Sequence, residues 1–133
     1  MKQELSDKLK TDFPGLYGEL GCGFECLDGW FDILYKLSGA LIKAAEEHHI
    51  TIGLDDENSG LYARQVKEKF GTLCYYTSYS WEETDDLIHE AESQSAHVCE
   101  KCGRTGTLVC ENHWYMVRCL KCLQEIRATP QNN

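Results

Sequence analysis

Apolar residues at the start of the chain recur at helical spacing, and those in its middle alternate. Leu5, Leu9, Phe13 and Leu16 stand three or four apart. That spacing predicts a short amphipathic helix over residues 3–13, closed by Pro14-Gly15. From Asp28 to His49 the residues Trp30, Ile33, Leu34, Leu37, Leu41, Ala44 and Ala45 form a second, longer stripe, with Asp28 placed as its N-cap. This predicts the longest helix and the centre of the core, with Trp30 and Phe31 as packing residues. Gly21-Cys22-Gly23-Phe24-Glu25-Cys26 reads as a turn, Thr51 to Leu54 as a short strand and residues 55–60 as an acidic, solvated loop.

The period then changes to two. Val66, Glu68 and Phe70 alternate with Gln65, Lys67 and Lys69, and Leu73 to Thr77 follows after Gly71-Thr72, which predicts two antiparallel strands. Ser80 and Glu83 have the spacing of a capping box that opens a helix to about residue 96, buried along Leu87, Ile88 and Ala91. The expected fold is α+β: amphipathic helices on a small antiparallel sheet, with an acidic body over residues 1–97, a metal module over 98–127 and a frayed tail over 128–133.

The most specific chemistry lies in that module. Cys99-Glu-Lys-Cys102 and Cys119-Leu-Lys-Cys122 are two Cys-x-x-Cys pairs with sixteen residues between them, the spacing of a four-thiolate zinc site. Thr107 to Val109 and Trp114 to Val117 predict a hairpin bent near Glu111-Asn112-His113, hence a zinc ribbon. So short a segment needs its metal to fold, and four protein ligands leave no position open for substrate, so the zinc is expected to be structural. Cys110 and His113 lack paired spacing and are read as a buried free thiol and a surface histidine. Cys22, Cys26 and Cys74 are read as ordinary buried or partly buried thiols. A second metal site from Cys22, Cys26 and a histidine is the less favoured alternative.

The formal net charge is −9, and residues 1–97 hold nineteen acids against eight bases while residues 98–133 hold three against five. A ribbon with so few Lys and Arg is poorly charged for direct nucleic-acid binding. The acidity concentrates on Glu82, Glu83, Asp85, Asp86, Glu90 and Glu92, with no Lys or Arg among them. Such a face is either solvated or docks on a basic partner. The N-terminus lacks a signal-peptide pattern and no run is long enough to span a membrane, so a cytoplasmic protein is expected.

Gly29-Trp30, the block Gln65-Val66-Lys67-Glu68-Lys69-Phe70-Gly71-Thr72-Leu73 with Tyr75-Tyr76, and Cys99-Glu-Lys-Cys102-Gly103 with Trp114 and Cys119 together resemble a family of small proteins of bacteriophages, prophages and their hosts. The resemblance covers most of residues 22–122. It implies a phage-associated cytosolic protein and brings no reaction or catalytic residues. Relatives often carry Arg at the place of Cys74, and some end the ribbon in Cys-x-x-His.

Enzymatic readings find little support. A His-Asn-His nuclease also uses two knuckles, and Asn112-His113 falls between them, but no histidine follows. The deaminase signature and the His-Glu-x-x-His spacing are absent. The favoured expectation is a non-catalytic protein that binds and inhibits a host macromolecule, by presenting carboxylates where phosphates would lie. One alternative sequesters a small signalling nucleotide with Arg64, Lys67 and Lys69 for phosphate and Tyr75 and Tyr76 for stacking. Others are a nuclease remnant, or a transcription or replication adaptor using Arg104, Arg118 and Lys121.

Overall fold

The computed structural model describes residues 1–54 and 60–128. Residues 55–59 of the expected acidic loop and the last five residues of the expected tail lie outside them. The fold is α+β, as the two periods predict. Helices α1 (Gln3–Asp12), α2 (Pro14–Tyr17) and α3 (Phe31–Glu47) come first, with strand β1 (Phe24–Glu25) between the last two. Strands β2 (Ala63–Lys69) and β3 (Thr72–Thr77), helix α4 (Glu82–Ser95), strands β4 (Thr107–Glu111) and β5 (Trp114–Arg118) and helix α5 (Leu120–Ala128) follow.

Pro14 ends α1 but also begins α2, because proline at the first helical position gives up only an N–H that has no intrahelical partner there. Leu9 and Leu16 are fully buried, and Tyr17 beside them nearly so. All seven stripe residues from Trp30 to Ala45 are buried. The expected N-cap is corrected: Asp28 belongs to a 3-10 turn over Asp28–Trp30, and its carboxylate accepts the backbone N–H of Lys2 at 2.7 Å. With the Met1 ammonium on the Cys26 carbonyl at 2.7 Å, this pins the N-terminus beside the start of α3.

Among the described residues β1, β2 and β3 form one sheet in that order, β1 parallel and β3 antiparallel to β2. The sheet is therefore mixed, and the expected glycine-rich turn contains its parallel edge strand. Residues 51–54 form no strand; Ile52 makes a single bridge to Leu61. Lys69 faces Thr72, so the hairpin turns on Phe70 and Gly71 alone, with φ of +51° and +92°. That is the backbone of a type I′ turn, whose hand matches the twist of the strands. Phe70 therefore leaves the strand's alternation and stands 75 % exposed.

The outer edge of β3 is covered by α4. Leu73 N–H donates to Ser95 Oγ at 2.9 Å and Tyr75 N–H to Glu92 Oε2 at 3.0 Å, so helix side chains take the amides that an edge strand otherwise leaves for another chain. The reciprocal bonds at the start of α4 fall one residue later than Ser80 and Glu83 predict. Thr84 Oγ1 accepts from Trp81 N–H at 3.0 Å and donates to the Trp81 carbonyl at 2.9 Å. Inside the core Tyr75 OH donates to Tyr17 OH at 3.0 Å, Tyr17 lies 2.5 Å from Ser38 Oγ, and Ser38 donates to the Leu34 carbonyl at 2.6 Å. Each buried hydroxyl in this chain has a partner, the condition under which buried polar groups are tolerated.

Candidate metal centre

The two knuckles are built by short backbone turns. Cys99 N–H donates to the Arg104 carbonyl at 2.7 Å and Gly103 N–H to the Cys99 carbonyl at 2.9 Å. Gly103 has φ +83°, the left-handed region that glycine enters without a Cβ clash. At the second knuckle α5 starts inside the Cys-x-x-Cys, and Cys122 N–H points at Cys119 Sγ, 3.4 Å away. Between the knuckles β4 and β5 pair from Thr107↔Arg118 to Glu111↔Trp114, turning on Asn112 and His113 at φ +52° and +67°.

The hairpin brings the sulfurs of Cys99, Cys102, Cys119 and Cys122 within 4.8 Å of one another. Cys102 Sγ and Cys119 Sγ are 3.6 Å apart. A tetrahedron of thiolates about 2.3 Å from zinc has edges of about 3.8 Å, whereas a disulfide needs about 2.05 Å. The four side chains thus fit a zinc ion and are free thiols. Their titration divides. The Cys122 backbone N–H brings the Cys119 thiol down to about 7, while burial and the neighbouring Cys119 push Cys122 up to about 12. Burial would raise Cys99, but the backbone N–H groups around it bring it lower. Four thiols this close do not all ionise by themselves; a divalent cation among them supplies the missing charge and releases their protons.

The ribbon is anchored to the body by the knuckle residue Glu100, which nothing in its spacing singles out. It is 5 % exposed; its carbonyl accepts from Gly29 N–H at 2.6 Å and its carboxylate from Leu27 N–H at 3.0 Å. Arg118 Nη1 lies 3.5 Å from the same carboxylate. Burial raises the Glu100 carboxyl pKa, against the lowering effect of Leu27 and Arg118. Beside it Trp30 Nε1–H donates to the Val98 carbonyl at 2.9 Å. A Cβ on Gly29 would collide with the carbonyl oxygens of Cys99 and Glu100, so glycine there is a condition of this docking.

Cys110 and His113 lie outside the sulfur cluster, and both are exposed; Cys110 is therefore not the buried thiol expected. Cys22 is exposed as well, Cys26 is buried with its thiol pushed up to about 12 by burial, and Cys74 is half-buried. Among the described residues the four-cysteine group is the one cluster of metal-ligating side chains, and it includes neither Cys22 nor Cys26.

The acidic set divides. Glu92 caps β3, and Glu83 lies 3.0 Å from His48 Nε2. Glu82, Asp85, Asp86 and Glu90 are exposed, and among the described residues no cation stands within ion-pair distance of them. Glu82, Asp86 and Glu90 are four apart and share one stripe of α4. The expected nucleotide-binding set also divides. Arg64, at a bulge in β2, and Tyr76 line one open groove of about 500 Å³, Lys67 and Lys69 extend along β2, and Tyr75 is buried in the core, where it cannot stack on a ligand.

No family model matches the chain, and comparison with curated proteins and with solved structures finds no match. Among the described residues no helix is long and apolar enough to cross a membrane.

Proposed function

We propose that the chain is a non-catalytic, zinc-stapled binding protein that uses the acidic stripe of α4 to occupy a basic groove on a host macromolecule. The observation that carries this reading is the set Glu82, Asp85, Asp86 and Glu90, exposed on one helix and unpaired among the described residues. Like charges crowded along a helix repel one another, and a basic surface relieves that repulsion. The same charges steer encounter with such a surface. Zinc supplies a closed tetrahedral cross-link, and four cysteine ligands leave it no open coordination position for catalysis. The phage resemblance gives the reading its setting: a bacterial cytoplasm, a nucleic-acid-handling host protein as target, and inhibition by occupancy.

The test compares the native protein with a variant carrying Glu82→Gln, Asp85→Asn, Asp86→Asn and Glu90→Gln in capture from bacterial lysate. The reading expects a partner that native protein retains, that duplex DNA and salt displace, and that the variant loses. A partner held equally by the variant, or indifferent to DNA and salt, would overturn it.

A further inference from the structure

The tip of the β2–β3 hairpin and the tip of the β4–β5 hairpin lie side by side. At Gly71 the approach leaves no room for a side chain: a Cβ at that position would meet Leu108 Cδ1 at 2.5 Å and the backbone of β5 at Met116 N, 3.1 Å away. Between the tips is a cleft of about 290 Å³ lined by Glu68, Lys69, Phe70, His113, Trp114 and Tyr115. One wall belongs to the body and the other to the ribbon. Three aromatic rings stand in solvent there, with Phe70 75 %, Trp114 66 % and Tyr115 49 % exposed. Single exposed apolar residues need no explanation, but a contiguous group rimmed by polar ones marks a contact surface.

Two further observations narrow the ligand. Phe70 holds φ +51° at the first position of its turn, where asparagine, aspartate or glycine is favoured and a bulky side chain is strained. At 75 % exposure the ring buries too little to repay that strain, which points to a role in contact with a ligand. The cleft also holds an ammonium that is free to meet a ligand. Glu68 is engaged as acceptor of Gly71 N–H at 2.6 Å, while Lys69 and His113 have no carboxylate partner among the described residues. Exposed π faces beside an unpaired ammonium suit a planar ring that carries negative charge.

We infer that this cleft binds a nucleobase bearing a phosphate, the ring against Phe70 and Trp114 and the phosphate at Lys69. The same chemistry comes from a free mononucleotide or from one residue of a single strand, and the assay separates them. Calorimetric titrations use AMP, GMP, CMP and UMP in turn, adenosine as the phosphate-free control, and a mixed-sequence hexadeoxynucleotide. Saturable binding of at least one nucleotide probe is expected; a hexamer bound more than tenfold tighter than every monophosphate points to a strand, and comparable affinities point to the free nucleotide. Trp114→Ala should weaken the bound probe by about fivefold or more, the low end of a stacking contact. Lys69→Ala should weaken the nucleotide and leave adenosine unaffected. Phe70→Asn separates function from folding: asparagine before Gly71 relieves the turn, so the variant should melt about 2 °C or more above the native protein while binding at least about fivefold more weakly. Absence of binding by every nucleotide probe at millimolar concentration, or unchanged affinity in Phe70→Asn and Trp114→Ala, would overturn the inference.

Discussion

Two glycine-to-alanine substitutions should change stability in opposite directions, and the difference tests how the ribbon is held. In Gly29→Ala the new methyl would meet backbone atoms of Cys99 and Glu100, the Glu100 carbonyl carbon at 2.6 Å among them. Backbone of a Cys-x-x-Cys knuckle yields far less readily than the end of a flexible side chain, so the cost is that of overpacking, about 1–3 kcal/mol. The displacement also lengthens the 2.6 Å bond from Gly29 N–H to the Glu100 carbonyl, worth about 1 kcal/mol. The sum is about 2–4 kcal/mol. For a chain of 133 residues, about 1 kcal/mol moves the melting midpoint by about 3–4 °C, so Gly29→Ala should melt about 7–14 °C lower. Gly39 is exposed on α3, with nothing within 4 Å of a Cβ built on it. Alanine there gains helix propensity of about 0.5–1 kcal/mol and should raise the midpoint by about 2–4 °C. Thermal unfolding followed by circular dichroism reads both. A Gly29→Ala protein that melts with the native one would refute the packing of the first knuckle on the start of α3.

Other outcomes follow from the same contacts. Cys99→Ser should lose metal and, with it, the fold of the β4–β5 hairpin while α3 keeps its packing; hydrogen exchange read by segment checks this, and protection of β5 as strong as in the native protein would contradict it. Ser95→Ala leaves the buried Leu73 N–H without an acceptor and should cost about 1–3 kcal/mol. Glu92→Ala should speed exchange of the Tyr75 amide, and Glu92→Gln, which keeps an acceptor oxygen, should restore protection. Burial pushes Tyr17 up to about 12, and raises Tyr75 well above its ordinary value. The protonated phenols are favoured in the fold, so their contribution is complete below the unfolded value of about 10 and is lost as pH rises toward about 12. For Tyr17 alone the loss is on the order of 3 kcal/mol. Urea unfolding at pH 9 to 12 should show this decline, with a shallower slope in Tyr17→Phe.

What the sequence made legible was whatever repeats locally. The α3 stripe from Trp30 to Ala45, the β2–β3 alternation and the cysteine spacing each state their geometry within a few residues. β1 escaped because two residues, Phe24 and Glu25, are too few to show a period, and their partners Val66 and Lys67 are about 40 positions away. The alternation runs through Phe70 and predicts it in the strand; the turn takes it because strand twist favours two left-handed residues there. Glu92 looks identical in sequence to its acidic neighbours. Only the packing of α4 against β3 distinguishes an edge cap from a solvent-facing charge. Glu100 is hidden for the same reason, since its burial depends on Leu27 and Gly29, about 70 positions earlier in the chain.

The four-cysteine cluster is built to close on one metal ion that ties the two knuckles of the ribbon together, and a native mass spectrum of the full chain purified without chelator reads that occupancy. One zinc per chain is expected in the native protein and none in Cys99→Ser or Cys122→Ser. Zinc retained stoichiometrically in both variants, or a native chain carrying no metal with its hairpin intact, would contradict it.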